Sequence, residues 1–399
     1  MRLSPGVQAT VRPIVACLLQ NRASADLGMA GVGASRVYPA DSMRIALIST
    51  PFVAVPPRRY GGTELVVHEL VEGLAARGHD VYLYATGDSR TTAELRWLYA
   101  QAQWPPEALT DLNHVSWAMQ HIAEHGPFDV IHAHSAMALA CARLVPGVPM
   151  VYTVHHERDE RLSAFYRYYQ DAYYIAISND QRWREITLRD VTVIHHGLDP
   201  TKYQCTHSAA CDYVCFVGRF SRVKGPHTAI EAAARAGVPI RVAGEVHPPD
   251  AAWADAELRH RLAQPHVREL GVIGLREKRP LLRDARALLA PVEWNEPFGL
   301  ILIEAMLSGC PVVAFGRGSI PEVVEEGVTG FVVPSIDDMA SLIRPGGAVD
   351  AFDRQRCRQR AAERFGRDGM VDDHLALYER VSRSPLRRRR AEQPSLVTA

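Results

Sequence analysis

The chain holds 399 residues, with 45 lysines and arginines against 45 aspartates and glutamates, so its formal net charge is zero, and 47% of it is apolar. That length fits two or three domains at roughly 100–200 residues each, with enough apolar material for sizeable cores. The charge balance gives no reason to expect nucleic acid as the main partner, and no apolar run approaches the ~20 residues needed to span a bilayer. Seven cysteines form no CxxC pair, which points to a reducing, cytoplasmic compartment.

Residues 1–42 are unlike the rest. One short apolar patch, Pro13 to Leu19, gives way to Gly, Ala, Ser and charge. Its h-region is weak for a secretory signal, so the segment reads as a disordered extension, with Met43 as an alternative translation start. Gly31 and Gly33 follow no strand and make no dinucleotide fingerprint.

A periodic pattern begins at Met43. "RIALIST" (44–50) reads as a strand, and residues 62–80 as an amphipathic helix with a Leu65, Val66, Leu70, Leu74 stripe closed at Gly78. "VYLYAT", "DVIHAH", "MVYTVHH", "AYYIAIS" and "VTVIHHG" follow as strands, with helical patterns near Leu112–Glu124 and Met137–Leu144. Leu198–Asp212 breaks the alternation as a linker. A second series runs from "YVCFVGRF" (213–220) through a helix at Pro226–Ala236, then "IRVAGE", "ALLAPVE" and "PVVAF", to a helix from Asp337. Such alternation implies parallel sheets built from right-handed βαβ units. The expected domains are therefore two tandem Rossmann-like α/β units, 43–198 and 199–365. Within the helical stretch Asp353–Arg383, residues 366–382 cross back to the first. In the tail, 383–399, Arg387 to Arg390 are either solvated or set against an anionic membrane surface, as a peripheral contact.

Ligands of doubly wound sheets sit beyond the carboxyl ends of the strands, so two such domains facing each other make a deep cleft. "FVGRFSRVKG" places Arg219 and Lys224 between a strand end at Gly218 and a helix start. Two cations there suit a diphosphate; the bland reading is a βα loop with surface charges. "VEWNEPFGLILIEAMLSGCPVV" carries Glu296 and Glu304. Pro297 keeps Asn295 and Glu296 out of the following helix, and Gly299 permits close backbone approach. The helix from about Gly299 to Ser308 is apolar on nearly every side and so buried. A carboxylate inside it needs a partner: an arginine, backbone N–H groups, or a ligand diol. In the first domain Gly61-Gly62 lies between strand and helix. His132 and His134 end a strand on one face, and His134, nearer the end, is the first cleft candidate, with His155 second. Cys205, His207, Cys211 and Cys215 match no standard zinc spacing.

Together these residues resemble the family 4 retaining glycosyltransferases. "EPFGLILIEAM" matches that family's E-x7-E signature and "FVGRFSRVKG" its strand-end Arg and Lys, and the likeness extends over nearly all of Met43 to about Arg380. The resemblance implies the GT-B fold and a hexosyltransferase of the EC 2.4 class. Glu304 would bind the donor ribose, and Glu296 the hydroxyls of the transferred sugar. Phe298, Gly299 and Leu300 would offer backbone amides, with Gly61 and Gly62 near the donor phosphates. Arg219 and Lys224 would neutralise the leaving diphosphate, and His134 would touch the sugar. No cofactor and no catalytic metal is implied, and the chemistry would be front-face transfer with retention.

Two other classes remain open: a catalytically silent GT-B module that binds a partner, and a sugar-nucleotide epimerase on the same scaffold. A phosphorylase would need a pyridoxal lysine, for which no context occurs. The donor is read as a UDP- or GDP-linked hexose. The acceptor is open between a glycan, a lipid-linked sugar and a small molecule, met by residues 90–110 and 157–170. Trp97, Tyr99, Trp104, Phe165, Tyr168 and Tyr169 there suit sugar stacking, a membrane face or the core.

Overall fold

The computed structural model describes residues 42–185 and 188–384. The expected N-terminal extension up to residue 41 and the Arg387–Arg390 run lie outside the described residues.

Two all-parallel sheets carry the fold. The first contains β1 (Arg44–Ile48), β2 (Asp80–Tyr84), β3 (Glu94–Arg96), β4 (Val130–Ala133), β5 (Met150–Val154), β6 (Tyr173–Ala176) and β7 (Val191–Val193), in the order β3-β2-β1-β4-β5-β6-β7. The second contains β8 (Val214–Val217), β9 (Ile240–Ala243), β10 (Val267–Glu269), β11 (Leu288–Ala290), β12 (Val312–Phe315) and β13 (Gly330–Val333), in the order β10-β9-β8-β11-β12-β13. Both orders reverse beside their first strand, β1 or β8. That reversal opens a crevice at the carboxyl edge of each sheet.

Helices cover both faces, which is why the strands read as unbroken apolar runs. Ile45 and Leu47 pack with Leu70, Val71 and Leu74 of the helix Gly62–Ala76. Ala46 and Ile48 face Val115, Met119 and Ile122 of the helix Ala108–His125. In the second lobe Leu288 and Val312 meet the helix Leu300–Leu307, while Leu289 and Val313 meet Pro226–Ala236.

The helical stretch after Asp353 is two helices, Arg354–Phe365 and Arg367–Arg383, parted at Gly366. The last one packs on the first lobe, where Val371 and Tyr378 join its core and Arg77 bonds Asp372 at 2.9 Å. The two passages of chain between the lobes run side by side. Leu198 N donates to Phe365 O at 3.0 Å and Arg367 N to Leu198 O at 2.9 Å. Gly197 is required there, since a Cβ would lie 2.7 Å from Gly366 O.

Residues 90–110 and 157–170, read from sequence as loops, contain the short strand β3 and the helix Glu160–Tyr166. That helix and Asn179–Arg184 are each started by a side-chain cap, Asp159 and Ser178, rather than by apolar periodicity. Phe165 and Tyr169 pack against the first core, whereas Trp104 and Tyr168 are exposed.

Candidate active site

A cavity of about 920 Å³ lies beyond the carboxyl ends of both sheets. Gly61 and Gly62 wall it from the first lobe, and Lys224, Glu296 and Glu304 from the second. The paired glycines let the chains approach closely. A Cβ on Gly61 would sit 2.7 Å from Pro57 Cβ, and one on Gly62 would lie 3.3 Å from Leu300 Cδ1 across the lobes.

After β8 the chain passes Gly218 and makes a tight turn, Arg222–Lys224. Gly225, at φ 76°, then opens the helix Pro226–Ala236 with proline in its first turn. A side chain on Gly225 would put Cβ 2.3 Å from Pro291 O. This turn aims Lys224 at the neighbouring loop. Its Nζ lies 2.7 Å from Glu296 Oε2 and 4.3 Å from the Trp294 ring centroid. Trp294 Nε1 donates to the same oxygen at 2.8 Å. Glu296 Oε1 has no hydrogen bond among the described residues, so one carboxylate oxygen stays open. Arg219 is not among the residues lining the cavity; its Nε lies 3.8 Å from Asp250 Oδ2, an ion-pair distance, and makes no hydrogen bond.

Glu304 is 2% exposed and has two protein partners. Lys278 Nζ lies 2.7 Å from Oε2, and the Tyr203 hydroxyl donates to Oε1 at 3.3 Å. Burial, reinforced by the carboxylate, pushes the Tyr203 phenol pKa up, so the hydroxyl keeps its proton. Lys278 belongs to the helix Leu275–Asp284, which packs on Leu300–Leu307. The expected need for a partner is met within the protein, and Glu304 and Lys278 still line the cavity. Phe298, 1% exposed, packs its ring on His196 and Phe365 at 5.0 and 5.8 Å. Gly299, at φ 83°, starts the helix, and Leu300 forms cavity wall.

His134 does not reach the cavity; His155 does. The strand register gives the reason. Ala133 pairs with Tyr152, so His134 stands level with Thr153, and His155 projects two residues, roughly 6–7 Å, farther along. His134 Nδ1 lies 2.7 Å behind it, against His155 Nε2. On the other side His155 stacks on His196, with centroids 5.3 Å apart. Burial holds His155 down at about 3 and depresses His134 and His196 strongly, so all three rings are neutral.

Three features escaped the sequence reading. Lys278 is one. Glu64 is another: it lines the cavity, accepts from Thr50 Oγ1 at 2.9 Å, and has its pKa raised by burial. The third is a bridge between lobes, Asn295 Nδ2 to Glu157 Oε1 at 2.8 Å. Among the described residues no cluster of three His, Cys, Asp or Glu side chains is placed to hold a metal ion, and no helix is long and apolar enough to cross a membrane.

Comparison with known proteins agrees with this architecture. The profile described as Glycosyltransferase Family 4 matches residues 60–202, and Glycosyl transferases group 1 matches residues 210–344. Glycogen synthase of Mycobacterium tuberculosis is 29% identical over 82% of this chain and 91% of its own. Alpha-maltose-1-phosphate synthase of Mycolicibacterium smegmatis is 28% identical over 85% and 100%. Among solved structures, AviGT4, a glycosyltransferase of avilamycin A biosynthesis, superposes with a TM-score of 0.69 at 24% identity, over 86% of this chain and 99% of its own. Anabaena HepE in complex with UDP and glucose gives 0.67 at 21%, over 85% and 100%. Two facing parallel sheets and two family matches spanning well over half the sequence lead to one conclusion: the chain belongs to the family 4 glycosyltransferases of the GT-B fold, hexosyltransferases that use nucleotide sugars.

Proposed function

We propose that this glycosyltransferase moves a hexose, with retention and without a catalytic metal, from a UDP- or GDP-linked donor to an acceptor hydroxyl. The observation that carries the reading is the meeting of Lys224, Glu296 and Glu304 in one cavity opposite Gly61-Gly62. Glu304, steadied by Lys278 and Tyr203, accepts from the ribose hydroxyls. The open Oε1 of Glu296 accepts from hydroxyls of the transferred sugar. Lys224 answers the charge that grows on the diphosphate as the anomeric C–O bond breaks; preorganised cations at developing charge are commonly the largest catalytic term. The acceptor oxygen attacks from the face the diphosphate leaves, and its proton passes to a departing phosphate oxygen. The HepE complex with UDP and glucose supports a uridine donor. The names of the relatives support a saccharide or sugar phosphate as acceptor.

The test is a panel of UDP- and GDP-hexoses incubated with and without a chelator, with the anomeric configuration of the product read by NMR. One donor should turn over to an α-linked product equally in both conditions. Loss of turnover with chelator overturns the metal-free part, a β-linked product overturns retention, and absence of donor binding overturns the whole reading.

A further inference from the structure

His134 and His155 share one hydrogen bond, Nδ1 to Nε2 at 2.7 Å. A neutral imidazole has one N–H and one lone pair, so one ring donates and the other accepts. The second nitrogen of His134, Nε2, is buried and has no hydrogen-bond partner, and that orphan decides between the two arrangements. If His155 donated, the His134 proton would sit on Nε2, burying an N–H with no acceptor. If His134 donates from Nδ1, only a lone pair is buried unpaired. Orphaned buried N–H groups are the rarer and more costly case. His132 offers no alternative, because Tyr378 and Thr153 occupy both its nitrogens at 2.6 and 2.7 Å.

We infer that His134 is a positioning residue that fixes the tautomer of His155, leaving His155 Nε2 as acceptor and turning an Nδ1–H donor toward the sugar in the cavity. His155 Nδ1 makes no hydrogen bond to any described residue, and His155 is one of the residues lining the cavity. With no lone pair turned toward the ligand, His155 donates to a hydroxyl oxygen of the sugar and does not serve as a general base. Burial, which keeps both rings neutral, holds the arrangement across the physiological range. The sugar contact rests on the glycosyltransferase reading above; the tautomer does not, and it is measurable without substrate.

The chain has 17 histidines, so the experiment is 15N NMR of histidine-labelled protein, with the His155 ring signals identified by their loss in His155→Gln. The expected spectrum shows His155 protonated at Nδ1 and bare at Nε2. In kinetics His134→Asn, whose amide nitrogen replaces Nδ1 as donor, keeps kcat within about threefold of the parent. His134→Leu lowers kcat roughly tenfold or more with UDP affinity unchanged. A His155 protonated at Nε2, or a His134→Leu variant with parental kcat, overturns the inference. If the parent protein binds no nucleotide sugar, the functional reading falls, while the spectrum still decides the tautomer.

Discussion

Lys278 and Glu304 meet in the cavity wall with Nζ 2.7 Å from Oε2, their side chains 14% and 2% exposed. The pair explains how a carboxylate persists inside the helix Leu300–Leu307. Its charge is answered by an ammonium from the adjacent helix, and its second oxygen by the Tyr203 hydroxyl. On the proposed reading the same pairing fixes the rotamer that the ribose diol meets, and stability and nucleotide binding then share one side chain.

Removing one partner of such a pair strands the other charge. Lys278→Met should destabilise the fold by about 3–5 kcal/mol, read by denaturant titration. In Lys278→Met/Glu304→Gln most of that loss should return, because no buried charge is left. UDP affinity, measured by calorimetry, should stay weak in the double variant. Separate recovery of the two properties distinguishes a ligand-facing carboxylate from a purely structural one. If UDP binds the double variant like the parent, Glu304 has no part in the nucleotide site.

Lys224 differs in kind. Its partner Glu296 keeps one oxygen open, and its ammonium also lies on the Trp294 ring. Lys224→Ala should leave melting behaviour close to the parent and cut kcat roughly 10²–10³-fold, the scale for loss of a preorganised group facing developing charge. Steady-state rates with a saturating donor check this. A change confined to KM would mean that Lys224 holds ground-state donor and transition state equally.

The parts of this site that are legible in sequence depend on neighbours along the chain. The Gly61-Gly62 turn and the Glu296-Pro297-Phe298-Gly299 loop announce themselves through backbone chemistry. The strands announce themselves because burial on both faces makes them uniformly apolar. Contacts between elements are less legible. His155 outreaches His134 only because Ala133 pairs with Tyr152, a register set by packing rather than by either strand's own residues. Lys278 sits in the charge-rich stretch "LREKRPLLRD", whose own residues do not single it out; its place in the cavity wall follows from where the Leu300–Leu307 helix lies. β3 is three half-buried residues with no periodicity to reveal it.

Gly225 tests how firmly the turn holds Lys224. Its φ of 76°, and the 2.3 Å that would separate an alanine Cβ from Pro291 O, leave no room for a methyl group. Gly225→Ala should cost about 1–3 kcal/mol in strain and also reduce kcat, because the turn that aims Lys224 must shift. Denaturation and turnover measured on the same preparation check both. Parental kcat with lowered stability would separate the turn from the placement of the ammonium.

Glu322 clasps the lobes together and should leave a pH signature. It lies in the short helix Ile320–Val323 of the second lobe and reaches donors of the first: His195 Nε2 at 2.6 Å, Asn179 N at 2.9 Å and Asn179 Nδ2 at 2.8 Å. Burial pushes its carboxyl up, but these hydrogen bonds outweigh it and bring the pKa from 4.5 down to about 2. A carboxylate whose folded pKa is depressed stabilises the protein above its unfolded value and loses that stabilisation as pH falls through the folded value. Unfolding free energies of the parent should therefore exceed those of Glu322→Gln, and the margin should close as pH falls between about 4.5 and 2. Ser319 connects the clasp to the site, since its N–H holds Glu296 O at 2.9 Å and its carbonyl accepts from Glu322 N at 2.9 Å. Loosening the clasp should thus lower kcat, while UDP affinity, which the proposed reading assigns chiefly to Glu304, is retained. A margin that does not vary with pH would show that the carboxylate charge is not what joins the lobes.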